Sequence, residues 1–270
     1  VLVALAEEMA EGPLDCAAGS LAWTAFLIHR EQTRTKGLIR SNSDSIYIFI
    51  VSFCVVVLLR CESRAGLFVY ICMFKPYNKM KKLIFIDACM RAGSRTRRIA
   101  RPIIAELGKR YSVETVDLTK NIYPVADNYT LEDRNNGIVP AEHVSLAKRI
   151  AAADRIVIAA PFWDMSFPSA LKVFFENMSL FGITFDTNAK ECYGLCKAEK
   201  VMYITSRGMN ISTGDPLEQA TPYIKALSHL WGWGELTVVA AQNMDYSTNE
   251  EIEDRIKTAV AEGLEICKEF

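Results

Sequence analysis

Residues 80–270 predict an α/β fold: a doubly wound sheet of five parallel strands with helices on both faces. Three observations carry this. From residue 82 onward, short apolar runs alternate with longer amphipathic ones, as repeated βα units require. The run Arg155–Ala160, RIVIAA, is almost wholly apolar, so it belongs mid-sheet with both faces covered. The first apolar run leads through a loop containing Gly93 into a helix opening at Ser94–Thr96, a strand-to-helix turn of the kind found at a sheet's carboxyl edge.

The elements follow in order. Leu83–Asp87 reads as the first strand and Thr96–Arg110 as the first helix. Val113–Leu118 is a second strand, and Thr119–Pro140 a long polar connection. Ala141–Ala152 alternates small apolar and charged residues as a helix, and Arg155–Ala160 is strand three. Phe167–Leu180 is a helix entered through Pro168, a favoured first-turn residue. Val201–Thr205, Gln219–Trp231 and Leu236–Ala241 read as strand, helix and last strand, and Asn249–Glu269 as a closing amphipathic helix. Ligands of such sheets sit beyond the carboxyl ends of the strands at the switch point. The loops after strands one, three and four are therefore the informative ones.

Composition narrows the function. The chain has 270 residues, half of them hydrophobic, enough for one large or two small domains. A net charge of −1 gives no electrostatic case for nucleic acid. Its three histidines are scattered, and Cys192 and Cys196 have no partner ligands nearby, so no metal site is expected. Eight cysteines without a CxxC pair or a secretory signal pattern indicate free thiols in a reducing, cytoplasmic setting.

Residues 1–79 differ in kind and form an N-terminal extension to the 80–270 domain. Ile46–Leu59 is an apolar run of 14 residues, short of the roughly 20 that a spanning helix needs. A second apolar run, Ala65–Phe74, follows at once. The segment reads as a membrane anchor, as added β-rich strands, or as upstream sequence translated in frame. The last is preferred, because Met80-Lys81-Lys82 resembles a translation start. Membrane association is expected only if the 46–59 run is an anchor.

Each informative loop carries a chemical signal. After strand one, helix-terminal amides, the hydroxyls of Ser94 and Thr96, and Arg95, Arg97 and Arg98 make an anion cradle suited to phosphate. After strand three, Pro161-Phe162-Trp163-Asp164-Met165 is a stiff apolar shelf on which a planar ring could stack, or a hydrophobic plug beneath the next helix. After strand four, Ser206-Arg207-Gly208 permits close approach to the backbone, with an arginine to offset an anionic ring. The helix LKVFFENMSLFG is apolar beyond one face, which predicts a subunit interface; burial under the 119–140 connection is the plain alternative.

The ordered set G-S-R-T, A-A-P-F-W, F-P-S-A-L-K, G-I-T-F and I-T-S-R-G resembles the flavodoxin-like NAD(P)H dehydrogenase (quinone) and FMN-dependent azoreductase family, across residues 80–270. The resemblance implies a homodimeric flavoprotein with the flavodoxin-like fold, carrying FMN rather than FAD. It implies hydride passing from NAD(P)H through the flavin to a small-molecule acceptor, a quinone, azo or nitro compound. By matching positions, Ser94, Arg95 and Thr96 would hold the phosphate. Pro161, Phe162, Trp163, Asp164 and Met165 would line the isoalloxazine, and Ser206, Arg207 and Gly208 would border its pyrimidine end. No catalytic side chain is expected, because the cofactor carries the chemistry. Asp164, Ala88 and Met209 stand where relatives commonly have Asn, Ser and Gly.

Two rival readings use the same residues. Cys89, five residues, Arg95 and Thr96 match the pattern of low-molecular-weight tyrosine phosphatases, with Cys89 as nucleophile, Arg95 as phosphate clamp and Asp215 as acid. That reading leaves the Phe162-Trp163 shelf and the 206–208 loop unexplained. A non-catalytic flavodoxin-like electron carrier is the other, against which stand the near-neutral charge and the apolar third helix.

Overall fold

The computed structural model describes residues 80–270, so the apolar runs at 46–59 and 65–74 lie outside the described residues. Among the described residues, seven strands and six helices follow one another. They are β1 (Lys81–Asp87), α1 (Arg95–Leu107), β2 (Tyr111–Asp117), α2 (Asn128–Asn135), α3 (Ala141–Ala151), β3 (Arg155–Ala159) and α4 (Ser169–Met178). Then come β4 (Phe185–Thr187), β5 (Cys192–Gly194), β6 (Lys200–Ser206), α5 (Ala220–Trp231), β7 (Glu235–Ala241) and α6 (Asn249–Cys267). Five strands pair in parallel in the order β2-β1-β3-β6-β7. The order reverses between β1 and β3, which places the switch point there.

The sheet separates two apolar layers, because alternate side chains of each strand point to opposite faces. Ile84, Ile86, Ile156, Ile158, Val201 and Tyr203 face α3, α4 and α5 through Leu146, Ile150, Leu171, Phe174, Phe175 and Trp231. Leu83, Phe85, Val157, Met202, Ile204 and Val239 face α1 and α6 through Ile99, Ile103, Ile252 and Ile256. All five residues of β3 are buried, as the RIVIAA run predicts for a central strand. On the second face α1 and α6 pack closely: a Cβ at Gly263 would lie 2.2 Å from Ile103 Cδ1.

Three sequence expectations need correction. The polar 119–140 connection contains α2, whose N-terminus is fixed by a reciprocal capping box between Asp127 and Thr130. Strands β4 and β5 form an antiparallel hairpin outside the main sheet, where only a turn and a short extended piece were expected at 181–185. The Leu171, Phe174, Phe175, Met178 and Leu180 side chains are buried within this chain. Part of this burial is under the 119–140 segment, where Tyr123 meets Phe174 edge-on with centroids 5.2 Å apart and Asn177 donates to Pro124 O at 2.8 Å; Phe175 packs instead against Trp231 and Tyr223. Burial within the chain accounts for that apolar surface except at Phe181, which stays exposed. Among the described residues no helix is long and apolar enough to cross a membrane.

Candidate functional site

The loop after β1 is built around the start of α1. Ser94 is in an extended conformation and its Oγ accepts from Arg97 N at 3.2 Å, so it is a true N-cap. The amides of Arg95 and Thr96 have no acceptor among the described residues, and a Cβ on Gly93 would meet nothing within 4 Å. Open space faces unpaired donors at a helix N-terminus, which suits an anion. The arginines divide differently from the sequence expectation. Arg97 Nε turns back to Asp87 Oδ2 at 2.7 Å and its amino groups reach the carbonyls of Cys89 and Arg91, so it braces the loop from behind. Arg98 pairs with Glu253 of α6 at 2.5 Å. Arg95 alone stays at the rim, held by exposed Asp245 at 2.9 Å.

Thr96 is fully buried, and its hydroxyl shares a 2.7 Å hydrogen bond with Ser206 Oγ and accepts from Ser206 N at 3.1 Å. It thus ties the loop after β1 to the end of β6 and leaves its amide, not its hydroxyl, without an acceptor. Cys89 is also fully buried, its Sγ donating to Ala159 O at 3.6 Å. Burial, reinforced by the charge of Asp87, pushes its thiol up to about 12. A thiol so placed is neither accessible nor ionised near neutrality, which removes the nucleophile of the phosphatase reading.

After β3 the chain makes a two-residue hairpin. Trp163 and Ser166 exchange hydrogen bonds, N to O at 3.1 and 2.8 Å, around Asp164 and Met165. Both central residues are left-handed, at φ 48° and 64°. Asp tolerates that region; an unbranched side chain such as Met gains nothing there, so about 1–2 kcal/mol of strain is stored at Met165. The hairpin is anchored by Phe162 N donating to Ser206 O at 3.1 Å and by Gln219 N donating to Met165 O at 2.9 Å. The amides of Asp164 and Met165 have no acceptor among the described residues. Phe162 and Trp163 are half-buried, and each has a guanidinium against its ring. Arg91 lies 5.3 Å from the Trp163 centroid and Arg207 lies 5.8 Å from that of Phe162.

After β6, Arg207 is fully buried. Its guanidinium donates to Ile211 O and to Thr213 Oγ1, each at 2.9 Å, and stands 3.8 Å from the carboxylate of Glu218, itself fully buried. Burial pulls the guanidinium below its usual value while Glu218 opposes the shift; arginine keeps its charge under such conditions. Glu218 Oε1 accepts from Ala220 N and Thr221 N at 3.0 and 2.9 Å, which caps α5. A Cβ on Gly208 would lie 1.9 Å from Asp245 Oδ2, so a side chain there would push that exposed carboxylate aside. The sequence reading missed Glu218, Asp245 and Asp87. Only Asp87, as the charged end of an apolar strand, carried a local signal.

The three loops converge on the carboxyl edge of β1, β3 and β6. They offer unpaired backbone amides from a helix start and a strained hairpin, two half-buried rings, and no acid–base pair or metal-binding group among the described residues. The chemistry of this donor set fits an anionic group joined to a flat heteroaromatic ring, such as FMN. A second cleft of about 550 Å³ opens beyond β1 and β2; four of its charged groups pair with one another, Asp87 with Arg97 and Asp117 with Lys120, and Arg101 also lines it.

Residues 81–265 match the model of a protein family described as having a flavodoxin-like fold. The chain belongs to this family. Similar proteins include one named FMN-dependent NADH:quinone oxidoreductase 2, of Clostridium acetobutylicum. It is 29% identical over 202 residues, a match covering 71% of this chain and 100% of that protein. The FMN-dependent NADH:quinone oxidoreductase of Coprothermobacter proteolyticus is 28% identical over 204 residues, with the same coverage. An azoreductase structure from Bacillus anthracis str. Sterne superimposes with a TM-score of 0.61 at 19% identity, covering 71% of this chain and 100% of that one. The FMN-dependent NADH-azoreductase of Bacillus anthracis str. Ames Ancestor, solved in complex with FMN, gives 0.60 at 20% identity, covering 70% and 99%. These two likenesses establish the flavodoxin-like fold.

Proposed function

We propose that residues 80–270 are an FMN-dependent NAD(P)H oxidoreductase acting on small quinone or azo acceptors. The observation that carries this is the strained Trp163–Ser166 hairpin. It holds the amides of Asp164 and Met165 without acceptors beside Phe162, at the edge where the helix start of α1 offers its own. Relatives matched over their whole length and named for FMN and NADH support the reading. Bound FMN would supply two-electron chemistry, taking hydride from a reduced nicotinamide and delivering it to the acceptor.

The chain's own residues bind and orient. The amides of Arg95 and Thr96, with Ser94 and the rim guanidinium of Arg95, would hold the phosphate. Pro161, Phe162, Trp163, Asp164 and Met165 would lie along the ring, mostly through backbone, and Ser206, Arg207 and Gly208 would close its pyrimidine end. We place this chemistry within residues 80–270, a division supported by the family match at 81–265. We take the working unit to be a homodimer, on the strength of exposed Phe181 (63%) and of Met165 and Met209 exposed beside the site. Free Cys89, Cys192, Cys196 and Cys267 support a reducing, cytoplasmic setting.

The test is anaerobic visible spectroscopy of the purified full chain after FMN addition. Flavin bands that NADH or NADPH bleaches, and a quinone restores, are the expected result. A protein that takes up no FMN sinks the reading. Bound FMN that neither nicotinamide can reduce points to an electron carrier instead.

A further inference from the structure

We propose that the buried Arg207–Glu218 pair is a positioning element that sets the electrostatic field at the proposed flavin ring from behind Phe162, without either charge touching the cofactor. The proposal rests on the flavin reading and goes beyond it, because it gives Glu218 a role and leaves Arg207 only its backbone, not its guanidinium, at the pyrimidine end.

Four observations support it. Both side chains are fully buried, so neither charge is screened by solvent. Their separation of 3.8 Å is an ion pair without a close hydrogen bond, and Arg207 Nε and Glu218 Oε2 have no hydrogen-bond partner. Burying two imperfectly paired charges is costly and is weak evidence of stabilisation, so a use for the charges is the better explanation. The Phe162 ring lies 5.8 Å from the guanidinium carbon, which puts the cation directly behind the aromatic shelf. Both partners are also mechanically tied to the shelf. Glu218 caps α5, whose preceding residue Gln219 donates to Met165 O; Arg207 follows Ser206, whose carbonyl accepts from Phe162 N.

A hydride carries two electrons and one proton, so the ring gains one negative charge when reduced. An unpaired cation behind Phe162 would favour that reduced form; an unpaired carboxylate there would oppose it. In the intact pair the two effects largely offset. A purely structural pair would behave differently, because loss of either member would loosen the same loops and shift the ring in the same sense.

The experiment measures FMN dissociation constants for the oxidised and reduced forms, and the midpoint potential that links them, in the full-length wild type, Glu218→Gln, Arg207→Gln and the double variant. Gln at 218 can still accept from the α5 amides through its carbonyl oxygen. Glu218→Gln is expected to raise the midpoint and improve the affinity for reduced over oxidised FMN by roughly three- to tenfold. Arg207→Gln is expected to lower both by a similar factor, and the double variant to return towards wild type. Shifts of the same sign, or none, overturn the proposal. If Arg207→Gln does not fold, Arg207→Lys takes its place. It keeps the charge, so the wild-type potential with Glu218→Gln still raised supports the field, whereas an unshifted Glu218→Gln overturns it. Wild-type protein that binds no FMN would instead defeat the flavin reading itself.

Discussion

Two arginine–aromatic contacts flank the same shelf, and they are built in opposite ways. Arg91 lies over Trp163 from the solvent side, on an exposed residue of the loop after β1. Arg207 lies behind Phe162 from the interior, fully buried and faced by an equally buried Glu218. The outer contact can form and break with little cost to the fold. The inner one is assembled only when β6, the 207–218 loop and α5 are all in place. The shelf thus has one aromatic that is free to adjust and one that is fixed. A site meant to exchange one planar substrate for another over a held ring benefits from that division.

The largest test breaks the inner contact outright. Glu218→Ala removes the counter-charge and the cap on α5 together, leaving Arg207 buried with only its bonds to Ile211 O and Thr213 Oγ1. Such a loss costs about 3–5 kcal/mol, read as a shift of the chemical-denaturation midpoint at unchanged slope. A loss under about 1 kcal/mol would mean that the interior contact is as dispensable as the outer one.

The join between the two ends comes next. Thr96→Val keeps volume and shape but deletes the hydroxyl that pairs with Ser206 Oγ and accepts from Ser206 N. Leaving that amide unsatisfied at a half-buried position costs about 1–2 kcal/mol. Because Ser206 O also accepts from Phe162 N, faster hydrogen exchange at the Phe162 amide is the expected local signature. Unchanged exchange there would show that the β1 and β6 loops are held independently.

How much of this was legible in the sequence follows the same inner-versus-outer division. Apolar period and punctuation were enough for β3, for the helix behind Pro168 and for the order of the three site loops, because burial on a sheet leaves a local pattern. Arg207 beside Gly208 read as a loop arginine able to offset an anionic ring. Its burial depends on Ile211, Thr213 and Glu218, and no strand or helix period connects these to one another. Strands β4 and β5 are three residues each, too short for alternation to register. The helix α2 carries only Tyr129 and Leu131 among polar residues, too few to make an apolar stripe, and its one signal was the Asp127–Thr130 box. Long-range pairing of charges, unlike apolar burial, leaves no periodic trace along the chain.

The outer contact gives a smaller effect. Arg91→Ala removes an exposed cation from the Trp163 face, which is worth about 0.5–1 kcal/mol. Trp163 emission is the direct reporter, read in a Trp23→Phe background, because the other two tryptophans, Trp231 and Trp233, are buried and respond little. The comparison predicts that Arg91→Ala changes Trp163 quenching by small-molecule acceptors while the denaturation midpoint barely moves. A midpoint shift as large as that of Glu218→Ala would erase the distinction between the two arginines.

The smallest stability change is expected at the rim, and there the sign of a second measurement matters more than its size. Arg95 and Asp245 form a solvent-exposed ion pair, their side chains 37% and 66% accessible. Such pairs contribute about 0–1 kcal/mol and are screened by salt, so Arg95→Ala and Asp245→Ala should both leave stability nearly unchanged at high ionic strength. They should differ in anion binding. If Asp245 only holds Arg95 until a phosphate takes its place, removing the carboxylate frees the guanidinium and removes a competing negative charge. Asp245→Ala then tightens FMN binding about two- to fivefold at low salt, and Arg95→Ala weakens it by a similar factor. Affinity falling in both variants would instead make the pair a fixed part of the loop, as rigid in its way as the interior pair behind Phe162.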